Sequence, residues 1–341
     1  MMSFTREVLQ LDPARETARI CGRIRELLAG PLRRRGLVIG LSGGIDSSVT
    51  AALAARAVGP ARVLALEMPE RHSAAETLAL STLVANRFGL PRLQEEITQP
   101  LEAIGFYQRY SEAVRLVFPD YGPGWSSKLV TESVLARTGF SRFSLVARRP
   151  DGTLERRRLP LKPYLEIVAA TNFKQRIRKM LEYYHADRLN FAVAGTPNRL
   201  EFDQGFFVKL GDGAADLKPI AHLYKSQVYQ LADYLGVPGE VIQRPPTTDT
   251  YSLPQGQDEF YFSLPLAQMD LCLYGKNHGI APERVAAVIG LTSEQIERVY
   301  RDIEGKRVAT RYLHLSPLLV TEIPEISGPL QSSMPVSALH Q

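Results

Sequence analysis

Leu37-Val38-Ile39-Gly40-Leu41-Ser42-Gly43-Gly44-Ile45-Asp46-Ser47-Ser48 runs from an apolar strand, through a glycine turn, into a helix. The LVIGL run after Gly36 is short and apolar, as a buried strand requires. Gly43 and Gly44 let the backbone approach an anion closely, and Ser42, Ser47 and Ser48 add hydroxyl groups. The helix that begins at Asp46 carries Val49, Ala52, Leu53 and Ala57 on one side. Its N-terminus offers unpaired N–H groups and a partial positive charge, so the turn reads as an anion site. Asp46 belongs at such a site only where a divalent metal bridges it to the anion. The Gly-Lys-Ser/Thr ending of a Walker A loop is absent.

On either side of this segment, strands and helices alternate. A helix over residues 14 to 35 is predicted from Ile20, Ile24, Leu27 and Leu28. Arg62 to Met68 reads as a strand, Ser73 to Phe88 as a helix and Leu93 to Ile97 as a third strand. This order predicts a doubly wound α/β fold, a parallel sheet with helices on both faces. The pattern loosens between about 105 and 163, where a β-hairpin over 141 to 160 is predicted to turn at Pro150-Asp151-Gly152. It resumes with a helix from Leu165 to His185, a strand from Leu189 to Ala194 and a helix ended by Gly236 and Pro238. Pro282 and Gly290 bracket a later helix, and Thr292 with Gln295 form a capping box for the next. The expected organisation is one domain over 1–322 with an insertion at about 105–163, followed by a loose tail over 323–341.

The 341 residues contain 41 Lys plus Arg, 36 Asp plus Glu and 45% hydrophobic residues, a balance that belongs to a globular chain with a sizeable core. No stretch approaches the roughly 18 consecutive apolar residues of a membrane span, and the N-terminus lacks a signal peptide's apolar core. Cys21 and Cys272 are too few and too far apart for a disulfide framework or a zinc site. A cytoplasmic protein without a membrane partner is expected. The basic residues cluster at Arg33 to Arg35 and at Arg148, Arg149, Arg156, Arg157 and Arg158. No RNA-binding or helix-turn-helix signature accompanies them, so a nucleic-acid partner is not expected.

Ser42 to Ser48 resembles the pyrophosphate loop of the N-type ATP pyrophosphatases, which include NAD synthetase, GMP synthetase and asparagine synthetase. The loop alone does not choose among them. Four further stretches are similar to NAD synthetase motifs and occur in the same order: Asn172 to Arg176, Gly195 to Glu201, Gly205 to Asp216 and Leu223 to Val228. Pro245 to Asp249 completes the set. The resemblance covers residues 36 to about 311 and implies an adenine nucleotide alpha hydrolase-like, Rossmann-like fold. It implies ATP-dependent amidation of a carboxylate through an acyl-adenylate: deamido-NAD, ATP and ammonia give NAD, AMP and pyrophosphate.

Carried over by position, Gly40, Leu41, Ser42, Gly43, Gly44, Ile45, Asp46 and Ser47 would hold the ATP phosphates, and Thr196, Lys225 and Thr247 match further ATP positions. Asp46 and Glu201 match Mg²⁺ positions. Arg176, Lys209, Asp216 and the pair Thr310-Arg311 match positions that contact the acceptor, and Asp46, Lys209, Asp216 and Lys225 form the catalytic set. Attack on an α-phosphate needs its charge neutralised, which suits a metal together with lysine. The family also implies a homodimer with substrate near the interface.

Some features depart from the family. Pro197 and Leu200 change the second loop, Thr310-Arg311 stands where the family often has His-Lys, and the connection from Ile97 to Asn172 is long. These changes fall on the acceptor half. An amide ligase of the same fold acting on another small carboxylate therefore stays open, as does a non-catalytic nucleotide-binding homologue. A built-in glutaminase would need a nucleophilic Cys with Glu and Lys partners, whereas Cys21 sits on the apolar side of a helix. Free ammonia is expected, or ammonia from a separate glutaminase. The arginine-rich hairpin is expected either to be a solvated element or to lie over the acceptor.

Overall fold

The computed structural model describes residues 4–131, 143–247, 250–257, 261–262 and 264–324. Helix α1 (Pro13–Ala29) leads to strand β1 (Leu37–Gly40), and α2 (Ile45–Val58), β2 (Val63–Glu67), α3 (Ala75–Arg87) and β3 (Arg92–Gln94) continue the alternation. Helices α4 (Thr98–Ala103) and α5 (Phe106–Arg115) precede strands β4 (Ser126–Thr131), β5 (Phe143–Arg148) and β6 (Leu154–Arg158). The long helix α6 (Leu161–Leu189) returns the chain to β7 (Ala192–Val193). After it come α7 (Arg199–Gln204), α8 (Lys225–Leu235), α9 (Gly239–Gln243), α10 (Leu266–Asn277), α11 (Pro282–Ile289) and α12 (Ser293–Thr310).

Strands β3, β2, β1 and β7 form a parallel sheet in that order. Successive side chains point to opposite faces. Leu37, Ile39, Val63 and Ala65 therefore enter a core with Ile24 of α1, Leu53 of α2 and Leu231 of α8. Val38, Leu64, Leu66 and Val193 face the other way, against Leu181 and Ala186 of α6. Both faces are buried, which explains why these strands are continuously apolar rather than alternating. The order reverses at β1, with β2 on one side and β7 on the other. In such sheets, ligands bind at the carboxyl ends of the strands where the order reverses.

Strands β4, β5 and β6 form a separate antiparallel sheet. The predicted hairpin is present in its described part, although residues 141–142 lie outside the described residues. Strand β4 was not predicted. Its buried Ser126 and Ser127 disguise it as a polar loop. Leu129 and Leu145 of this sheet share a core with Phe106 and Tyr110 of α5 and Ile167 of α6.

Several boundaries also move. The helix predicted to reach Arg35 ends at Ala29, because Gly30-Pro31 follows and proline disfavours helical geometry in the residue before it. Helix α6 begins earlier than predicted, with Pro163 in the first turn, where a missing N–H is harmless. It ends at Asn190, left-handed at φ 53°, so the strand expected from Leu189 shrinks to Ala192–Val193. Helix α11, the Gly290 stop and the Thr292–Gln295 capping box lie where expected. No helix among the described residues is long and apolar enough to cross a membrane.

Candidate active site

The turn after β1 opens at the reversal of the sheet. Gly44 begins α2 with no side-chain cap, while the Ser47 and Ser48 hydroxyls donate back to its carbonyl at 3.0 and 2.8 Å. Gly43 is left-handed at φ +69°, and a Cβ there would lie 2.8 Å from both the Leu80 Cβ and the Thr77 carbonyl oxygen of α3. Backbone conformation and space both demand glycine at this position.

A cavity of about 470 Å³ extends from this turn. Gly40 to Ser42 and Gly44 to Ser47 line it, together with Thr196, Glu201, Lys225 and Thr247. Residues far apart in sequence but predicted to serve the nucleotide and metal thus share one wall. Gly43 is predicted with them but packs against α3 instead. Thr248 and Asp249 lie outside the described residues.

At the centre, the Lys225 ammonium is ion-paired with Asp46. Asn198 Nδ2 donates to the other Asp46 oxygen at 3.2 Å. Asn198 also begins α7 in a capping box: its side chain accepts from Leu200 N at 2.9 Å, and Glu201 Oε2 accepts from Asn198 N at 3.1 Å. Gln257 Nε2 donates to Glu201 Oε1 at 3.0 Å. Burial and the neighbouring Asp46 charge push the Glu201 carboxyl up to about 8, with Lys225 opposing. Burial alone would lower the Lys225 ammonium, but Asp46 and then Glu201 hold it up. Asp270 of α10 fixes the start of α8, accepting from Lys225 N at 3.1 Å and from Ser226 N and Oγ at 2.7 Å.

The residues predicted for the acceptor do not line this cavity. Asp216 accepts from the β7 backbone at Val193 N, 2.7 Å away, and from the Tyr183 hydroxyl. Lys209 Nζ donates to the Tyr312 carbonyl at 2.7 Å and to that of Leu315 at 3.3 Å. Arg176 Nε reaches the Lys209 carbonyl at 3.4 Å. Thr310 packs against left-handed Gly205, where a Cβ would lie 2.2 Å from its own, and Arg311 is exposed. Arg176, Lys209 and the 310–315 segment form one strip outside the cavity. Of the departures noted above, Leu200 is explained by burial in the core of the C-terminal helices.

Other charged groups in the cavity wall escaped the sequence reading. Lys179 and Glu182 form a buried pair at 2.6 Å, and burial pushes the Glu182 and Asp212 carboxyls up. Lys174 pairs with buried Glu70 at 2.7 Å. Thr171, Lys174, Arg178 and Glu182 line the cavity at helical spacing along α6. That periodicity was available in the sequence.

A family model described as NAD synthase matches residues 17–121 and 155–309. The chain belongs to the NAD synthase family. Membership implies use of ATP. A Mesorhizobium japonicum protein named NH(3)-dependent NAD(+) synthetase is 58% identical over 318 residues, covering 93% of this chain and 100% of its own length. A Thermotoga maritima protein of the same name is 34% identical, covering 79% of this chain and 88% of its own length. Among solved structures, the NH3-dependent NAD synthetase from Campylobacter jejuni in complex with the nitrate ion aligns with TM-score 0.59 at 22% identity, covering 91% of this chain and 100% of that one. At that identity the likeness shows the fold alone. The family match omits residues 122–154, which contain β4 and β5.

Proposed function

We propose that this chain is a ligase that converts deamido-NAD, ATP and ammonia to NAD, AMP and pyrophosphate. The observation that carries the reading is the convergence of the Gly40–Ser47 turn, Asp46, Glu201 and Lys225 where the sheet order reverses. The open N-terminus of α2 suits the ATP phosphates. Oxygen of the acceptor carboxylate attacks the α-phosphorus and pyrophosphate leaves; ammonia then attacks the carbonyl carbon and AMP leaves. Lys225, kept charged by Asp46 and Glu201, stabilises the negative charge that builds during the first attack.

Asp46 and Glu201 suit Mg²⁺. The half-buried Asp46 and Glu201 carboxylates line one cavity and are joined through Asn198, and Gln257 Oε1 is buried without a partner among the described residues. No cluster of three or more His, Cys, Asp or Glu accompanies them among the described residues. Mg²⁺ commonly uses one or two carboxylates and completes its shell with phosphate oxygens and water. A cation held there would neutralise phosphate charge. Asp46→Asn and Glu201→Gln should each abolish AMP formation while circular dichroism and thermal unfolding remain close to wild type. Substantial turnover by both variants at saturating Mg²⁺ contradicts the assignment.

The nitrogen donor is free ammonia, a reading supported by the names of the relatives. The protein acts in the cytoplasm as a homodimer. Helix α6 leaves Leu161, Leu165, Met180 and Tyr184 exposed along one stripe, with Arg176 among them. A second copy of the chain would cover this stripe. It would also bring the Arg176–Lys209 strip, with Asp216 and Thr310-Arg311, to an interface where the acceptor binds.

A further inference from the structure

Strand β4 gives one edge to β5. Its other edge is taken by residues 252–255. Leu253 N donates to the Ser127 carbonyl at 3.3 Å, Ser127 N donates to Ser252 Oγ at 2.9 Å, and the Gln255 amide donates to the Leu129 carbonyl. Lys128 Nζ adds a bond to the Pro254 carbonyl at 3.2 Å. Backbone groups on an open strand edge demand partners, and this strap supplies them. Leu253 and Gln255 of the strap, and Tyr251 before it, are buried. Gly256 then bridges to Thr247, and Gln257 N donates to the Pro246 carbonyl. The next side chain is Gln257, in the cavity and on Glu201.

We propose that Gln257 is a positioning residue of the Asp46–Glu201 cation site, and that β4, within the segment the family match omits, is the clamp that holds it there. The proposal rests on the reading of Asp46 and Glu201 given above. Glu201 is half-buried and joined to Asp46 through Asn198, so its orientation depends on donors that hold it. Asn198 N fixes one oxygen and Gln257 Nε2 the other. Groups that orient a metal-binding carboxylate are commonly worth 10–100-fold, on the order of that range, in metal affinity. The Gln257 carbonyl oxygen is buried and unpartnered among the described residues, which makes the amide more than a surface contact.

The test is binding of Mn²⁺ to the full-length chain in the presence of α,β-methylene-ATP, followed by electron paramagnetic resonance. Gln257→Ala should weaken Mn²⁺ by roughly 10–100-fold, while the KM of the acceptor stays within twofold of wild type. Gln255→Ala removes the strap's side-chain bond to the Leu129 carbonyl of β4 without touching Glu201, and should weaken Mn²⁺ in the same direction but by less than Gln257→Ala. The double variant should be no weaker than Gln257→Ala alone. Wild-type Mn²⁺ affinity in Gln257→Ala, with a clear loss in Asp46→Asn, overturns this inference alone. No loss in either variant overturns the cation pair beneath it.

Discussion

Asp270 reaches the start of α8 from another helix, and its fully buried carboxyl is pushed by burial up to about 6 against the pull of Ser226 and Lys225. A carboxyl raised in the folded state stabilises the fold fully below its unfolded value near 4, and that contribution is lost as pH rises through 6. Asp270→Asn has no proton to lose there. Between pH 4.5 and 7.5 the wild type should therefore lose about 2 kcal/mol relative to the variant. Urea unfolding of both proteins at the two pH values checks this, and parallel stability curves would contradict it. Asp270 and Gln257 were invisible in the sequence because a helix cap from α10 and a strap on β4 leave no local pattern. The turn at Gly40–Ser48 was readable because glycine freedom, hydroxyls and a helix start act within a few residues of one another.

At the scale of elements, the parallel strands were readable because each is short, apolar and followed by a helix. The 105–163 region was less so. Its β4 strand owes its existence to two partners, β5 and the 252–255 strap, rather than to its own composition. The arginine-rich hairpin also resolves into unlike residues. Arg157 donates to the Val117 carbonyl at 2.9 Å, pairs with Glu155 and sits 4.5 Å from the Phe118 ring centroid. Arg156 and Arg158 are exposed on the opposite face of β6, while Phe143 is the hairpin residue in the cavity wall among the described residues. Arg157→Ala should destabilise the fold by about 1 kcal/mol, whereas Arg156→Ala and Arg158→Ala should stay within about 0.5 kcal/mol. Thermal unfolding of the three single variants distinguishes them; equal losses would contradict this division.

For the whole molecule, the sequence reading separates into two halves. The nucleotide half depends on turns and helix starts around one reversal of the sheet, and its predicted residues, Gly43 apart, share a cavity. The acceptor half depends on Arg176, Lys209 and the 310–315 segment, which meet at a surface beside the exposed stripe of α6. No pattern within one chain could have arranged that surface if a second chain completes it. Met180→Glu combined with Tyr184→Glu places charges on the stripe and should convert the proposed dimer to a monomer with a rise in acceptor KM, as measured by light scattering and steady-state kinetics. An unchanged mass would place the interface elsewhere. The central claim is tested most directly by supplying the purified chain with ATP, Mg²⁺, ammonium and deamido-NAD and measuring NAD, AMP and pyrophosphate together. The account predicts that all three appear in equal amounts and only when ammonium is present. ATP turnover without NAD, or no turnover at all by the folded chain, would contradict it.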